Sequence, residues 1–214
     1  MSTQPPIPAA GGPPPGAPPA DRLVRTAGVF YGLLLAAAWA WRTGWAGEPL
    51  LYADAEAAAR GVAWLADLGW GLAGGAAVIG VSWLVTSRSR WGDRLARALA
   101  ELVGRPSVGQ IALLALASGV GEEAFFRGAL QPRVGLVGAS LFFALAHFVP
   151  RREMLPWSGF SLVAGLALGA LFEWSGNLVA PIAAHALVNG VNLTLLTRRY
   201  SDPAQGDANG DVPA

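Results

Sequence analysis

The sequence predicts an all-α fold, a polytopic bundle of about six membrane-spanning helices, and three observations carry that prediction. Hydrophobic residues make up 53% of the chain and charged residues only 14%, with a positive mean hydropathy, which is too apolar for a water-soluble domain of this length. Apolar runs close to the roughly 20 residues that a helix needs to cross about 30 Å of hydrocarbon recur along the chain. The arginines between those runs fall mostly in alternate connectors, as they do when one side of the membrane collects positive charge.

Composition also excludes chemistry. There are no cysteines, so disulfides, thiolate catalysis and cysteine-ligated metal are ruled out. A net charge of +1 without a dominant basic patch argues against a nucleic-acid partner. All 15 basic residues are arginine, which together with the alanine and glycine load points to a GC-rich, bacterial coding sequence.

Taken in order, residues 1–20 are rich in Pro, Gly and Ala without apolar periodicity and read as a disordered tail. They are not a secretory signal, because Arg22 and Arg25 follow them and the next apolar run is long enough to span. Span one covers 23–41. The connector 42–60 holds Glu48, Pro49, Asp54 and Glu56 and has room for a short interfacial helix. Span two covers 62–86, with Asp67 placed at the interface and Gly71, Gly74 and Gly75 permitting close helix contact. Residues 87–105 set Arg88, Arg90, Arg94, Arg97 and Arg105 beside Trp91, Leu95, Leu99 and Leu102 at helical spacing. That pattern fits a helix on an anionic membrane surface and equally a solvated connector.

Pro106 suits the first turn of span three, which runs to about Leu130 and is broken by Gln131-Pro132-Arg133. Span four covers 135–148, span five 156–174 and span six 177–197, and 200–214 forms a polar tail. The membrane domain is therefore 21–199, and no internal repeat of the transporter kind is visible. With the N-terminus in the cytoplasm, eleven arginines (22, 25, 88, 90, 94, 97, 105, 151, 152, 198 and 199) lie inside, against Arg42, Arg60 and Arg133 outside. This asymmetry predicts a multi-pass protein of the cell membrane with both termini cytoplasmic.

Span three contains Gly121-Glu122-Glu123-Ala124-Phe125-Phe126-Arg127-Gly128. Ionisable groups at membrane depth cost several kcal/mol and call for partners and a function. The chain has two histidines, His147 and His185, both within spans. Counted at about 1.5 Å per residue from the outer helix ends, Glu122, His147, His185 and Asn189 fall in one layer about 12 to 18 Å deep. Residues four apart share a helix face. Glu123 therefore has a local partner in Arg127, whereas Glu122 is left for His147 or water. His185 and Asn189 lie side by side, and Phe143 flanks His147. A buried carboxylate and a histidine around a water are the parts of general-base hydrolysis. A second histidine and an asparagine could donate to the oxyanion of an attacked carbonyl. The plainer alternative has Glu122 and Glu123 neutralising Arg127 while the histidines satisfy core hydrogen bonds.

The motifs resemble those of the CPBP intramembrane proteases, the group that includes prenyl-protein (CAAX) endopeptidases and bacterial Abi-type proteins. They are Glu122-Glu123-Ala-Phe-Phe-Arg127-Gly128, Phe143-Ala-Leu-Ala-His147 and His185-Ala-Leu-Val-Asn189, in the family's order, with Gly165-Leu-Ala-Leu-Gly169 between the last two. The similarity covers about 106–197. It implies that Glu122 and His147 activate water for peptide-bond cleavage, that His185 and Asn189 stabilise the oxyanion, and that Glu123 and Arg127 support the site. It implies no cofactor, and the substrate is a membrane-associated protein or peptide. A bacterial member that processes C-terminal sorting signals would resemble the myxosortase branch, and a site opening to the outer face would suit it.

Two rival readings remain. Glu122, His147 and His185 could hold Zn²⁺, although no HExxH pattern is present. Alternatively the chain is a non-proteolytic membrane protein, a proton-coupled transporter or an immunity or scaffold protein, in which Glu122 relays protons.

Overall fold

The structure is a computed structural model that describes residues 20–200. The expected tails, 1–20 and 200–214, fall outside it except for Ala20 and Tyr200, which are helical. Within the described residues the chain is all-α, with eight helices: α1 (Ala20–Trp39), α2 (Ala55–Arg60), α3 (Trp64–Arg88), α4 (Arg90–Val103), α5 (Val108–Glu123), α6 (Gln131–Ala146), α7 (Leu155–Ser175) and α8 (Val179–Tyr200). Two π-helical turns extend them. Ala40–Trp45 prolongs α1, and Ala124–Leu130 joins α5 to α6.

Five continuous helical stretches are long and apolar enough to cross a membrane, and the third, Val108–Ala146, has 39 residues. At 1.5 Å per residue it would reach about 58 Å if straight, nearly twice the hydrocarbon thickness. It doubles back at Gly135, whose φ of 75° and ψ of 171° lie outside the helical region. Glycine tolerates this conformation, whereas a side chain there would be strained. Contacts across the turn are antiparallel. Arg127 lies 4.4 Å from the Phe143 ring, the Phe126 and Phe143 rings are 5.1 Å apart, and Glu122 meets His147. The six helical segments read from the sequence are thus present, the fourth as a short antiparallel helix after the turn, and the break falls at Gly135 rather than at 131–133. Pro132 follows directly on the π-turn, and the chain stays helical through it until Gly135.

The two ends of the bundle differ in charge. At one end Arg42 and Arg133 share Glu48 at 3.1 and 2.9 Å, and Arg60 approaches Gly176. The loop at 51–53 pairs there with the α7–α8 connector through Ala53 N–H to Gly176 O and Leu178 N–H to Leu51 O. Asp67 also lies at this end, as expected, but it is buried. It accepts from its own helix start at Ala63 N–H and from the Asn177 amide at 2.8 Å. The opposite end collects α4, the start of α1 and the end of α8, tied by Gln110 to Asp21 at 2.7 Å and by Tyr200 to Asp93 at 3.0 Å. The bundle is apolar on its outside, with Val29, Leu33, Leu65 and Val163 among many exposed large side chains, as lipid contact allows. Small residues fill the helix contacts instead. Gly71 and Gly75 of α3 sit against the Ala180 and Ala184 backbone of α8, as their spacing predicts, while Gly74 faces Leu171.

Candidate active site

α5 carries Glu122 and Glu123 on neighbouring positions, about 100° apart around the helix, so they face different partners. Glu123 is fully buried. Its Oε1 accepts from Arg127 at 3.0 Å and from His185 Nδ1 at 2.6 Å. Arg127 in turn donates to the Gly165 carbonyl at 3.1 Å and lays its guanidinium over Phe143. A charge taken out of water is tolerable only when paired and hydrogen-bonded. Here α5, the π-turn, α7 and α8 all contribute to that pairing.

Glu122 faces the other way. Its Oε2 is buried without a hydrogen-bond partner and stands 3.7 Å from His147 Nε2 and 4.0 Å from His185 Nε2. A separation of that size leaves no direct hydrogen bond but suits one bridged by water. The Tyr31 phenol of α1 lies beside the same carboxylate, close enough to interact with it electrostatically.

The tautomers follow from the partners. His147 places Nδ1 2.8 Å from the Phe143 carbonyl, which only accepts. Nδ1 therefore carries the proton, and Nε2 of the neutral ring presents a lone pair toward Glu122. His185 likewise gives its Nδ1 proton to Glu123 and turns Nε2 toward Glu122. The His147 ring lies over Phe143 with centroids 4.4 Å apart and meets Trp157 at 5.8 Å. Phe143 thus touches both the supporting arginine and the histidine.

Asn189 lies one turn farther along α8. Its Nδ2 donates to Ser118 Oγ at 2.9 Å, and Ser118 is one turn before Glu122 on α5. The antiparallel crossing of α5 and α8 therefore stacks two polar rungs, Glu123 with His185 and Ser118 with Asn189. The second N–H of the Asn189 amide is left for another acceptor.

Of the four side chains expected to form a layer, Glu122, His147 and His185 converge directly, while Asn189 is tied to Ser118 one turn away and Glu123 backs His185. Three participants were not singled out in the sequence. Ser118 could have been, since it lies four residues before Glu122 on the same face. Trp157 and Tyr31 could not, because their contacts join separate helices with no periodic link. The π-turn right after Glu123 was also not foreseen, although such turns often mark functional sites.

Among the described residues, no group of three His, Asp or Glu side chains is close enough to form a ready metal site. Ligand atoms around a tetrahedral zinc stand about 3.3 Å apart for bonds of about 2.0 Å. The Glu122 to histidine spacings are wider, so Glu122, His147 and His185 would have to close in by several tenths of an ångström.

Comparison with known proteins places this site in a wider context. Residues 104–191 match the family described as type II CAAX prenyl endopeptidase Rce1-like, a segment that contains Glu122 through Asn189 but not Tyr31. A protein of Bacillus subtilis (strain 168), described as uncharacterized protein YpbD, is 38% identical over 93 residues. The alignment takes in 42% of this chain and 48% of that protein, so the chain spans about half the length of the curated relative it matches. No solved structure matches the chain.

Proposed function

We propose, from an Rce1-like segment at 104–191 set within a multi-pass helical bundle, that this protein is an intramembrane endopeptidase using Glu122 as its general base. The observation that carries the reading is the Glu122 Oε2 atom, buried, without a hydrogen-bond partner and facing two imidazole Nε2 atoms. A water held between Oε2 and His147 Nε2 gives up a proton to the carboxylate and attacks the scissile carbonyl carbon. The developing oxyanion receives N–H bonds from His185, once its ring carries both protons, and from the Asn189 amide. Collapse of the tetrahedral intermediate breaks the C–N bond, and the proton on Glu122 passes to the leaving amine. Glu123 and Arg127 hold His185 and the α5–α7–α8 contact in place.

The substrate is a membrane-associated protein or peptide, and it approaches from the arginine-rich end. His147 keeps 21% of its side chain exposed while Glu122 and His185 keep 8% and 7%, and it sits four residues before Arg151, beside Trp157. This favours a peptide presented at the cationic face over one entering from the opposite side, the geometry that a myxosortase-like role would need.

The reading is tested by comparing the C-termini of membrane proteins in wild-type cells and in cells carrying Glu122→Ala. Loss of a defined set of cleaved termini is expected, and an unchanged set would count decisively against a protease. One observation favours zinc as a second reading, because both histidines have Nδ1 engaged by an acceptor, as metal-ligating histidines do. Metal analysis of the purified protein and a chelator assay separate the two, since the water-only mechanism retains activity in chelator.

A further inference from the structure

The carboxylate at the centre of the site has an unexplained orientation. Glu123 is held by two donors, Arg127 and His185, yet the buried Glu122 Oε2 has no donor among the described residues. A glutamate side chain with three rotatable bonds does not keep one oxygen on two imidazoles unaided. Its neighbour on the other side is α1. A Cβ added to Gly121 would stand 2.9 Å from the Tyr31 carbonyl oxygen and 3.0 Å from Tyr31 Cβ, closer than packed atoms tolerate. Glycine at 121 therefore lets the α1 backbone lie against α5 at the residue next to Glu122. The Tyr31 ring is packed edge-on to Phe30, with centroids 5.3 Å apart and planes at 67°. A phenol in an otherwise apolar helix needs an acceptor, because an unpaired hydroxyl in such surroundings costs on the order of 1–3 kcal/mol. The carboxylate it neighbours is Glu122.

We infer that Tyr31 is the positioning residue of the site: its hydroxyl donates to the Glu122 carboxylate and turns Oε2 toward His147 and His185. The inference rests on the protease reading for its consequence but not for the contact. Through Tyr31, α1 completes the machinery from outside the segment that matches the family, and the Rce1-like segment on its own lacks the donor that orients its base.

Tyr31→Phe removes the hydroxyl and keeps the ring. The purified protein in detergent is given a quenched-fluorescent peptide ending in a farnesylated CAAX sequence. The variant is expected to lose about 10- to 100-fold in kcat, the size of effect that a misplaced catalytic group produces, with KM within about twofold and thermal unfolding unchanged. In a Glu122→Gln background the same substitution is expected to remove nothing further. A second readout needs no substrate. With 3-fluorotyrosine at the chain's three tyrosines, the ¹⁹F resonance missing from Tyr31→Phe belongs to Tyr31. Glu122→Gln is expected to move that resonance and leave those of Tyr52 and Tyr200 in place. Full kcat in Tyr31→Phe, an equal loss in both backgrounds, or an unmoved resonance overturns the inference. If wild-type protein leaves the peptide uncut, a farnesylated CAAX tail is not a substrate, and the fluorine resonance alone decides the contact.

Discussion

Two adjacent glutamates in one apolar helix divide their work by the partners that the helix turn gives them. Glu123 accepts from Arg127 and His185 inside a dry contact, where an unpaired charge is expensive, so it belongs to the stability of the fold as much as to the site. Arg127→Met, which keeps an unbranched apolar stem and removes the charge, leaves Glu123 with one donor. A broken buried pair costs about 3–5 kcal/mol, and that loss is read as a lower unfolding temperature in micelles. Glu122→Gln is expected to do the reverse, with activity down by about 10²-fold or more and unfolding unchanged. Arg127→Met unfolding at the wild-type temperature would mean that the Glu123–Arg127 pair adds nothing to stability. Asn189→Ala belongs to the same comparison. An oxyanion donor lost costs about 10²- to 10³-fold in kcat, whereas an amide serving only Ser118 would leave kcat nearly intact.

At the scale of elements, α4 shows how a short amphipathic helix is fixed to the bundle end. Gly92, Ala96 and Ala100 form its buried stripe, and Trp91 and Leu102 stay exposed beside Arg90, Arg94 and Arg97. Its polar tie to α8 is Asp93, which accepts from Tyr200 at 3.0 Å and from Arg97 at 2.9 Å. Burial works to raise the Asp93 pKa, but the hydrogen bonds from Arg97 and Tyr200 outweigh it and hold the carboxyl below its ordinary value. A depressed folded-state pKa means that the docking stability is complete above the unfolded value, near 4, and is lost as pH falls through the folded one. Backbone amides of α4 are therefore expected to exchange faster at pH 3 than at pH 6 after correction for intrinsic rates, and Asp93→Asn is expected to remove the difference. Equal protection at both pH values would show that the small-residue stripe alone holds α4. The helices themselves were legible because lipid forces long apolar runs, and the Glu123–Arg127 pair because i, i+4 spacing is local. The turn at Gly135 was misplaced by a few residues because proline advertises a break, whereas here the chain stays helical through Pro132 and turns where glycine takes a positive φ. Tyr31 was not legible, since an interhelical contact leaves no periodic mark in the sequence.

At the scale of the whole molecule, the position of the arginines predicts which compartment meets the site. Eleven of the fifteen lie in segments of one end and three at the other, and the structure brings Arg42, Arg60 and Arg133 to the end opposite α4. Cytoplasmic retention of basic segments predicts that α4, the loop at 148–154 and the exposed edge of His147 face the cytoplasm. The tryptophans agree with a membrane at this depth, since Trp39, Trp45, Trp64 and Trp174 ring the far end, where interfacial aromatic residues collect. The absence of cysteine from the chain makes the orientation directly measurable. Glu56→Cys on α2 and Glu101→Cys on α4 replace exposed side chains at opposite ends. A membrane-impermeant maleimide applied to intact spheroplasts is expected to label Glu56→Cys and to reach Glu101→Cys only after permeabilisation. The reverse pattern would put His147 on the outer side, and the proposed substrate would then have to be a peptide presented outside the cell.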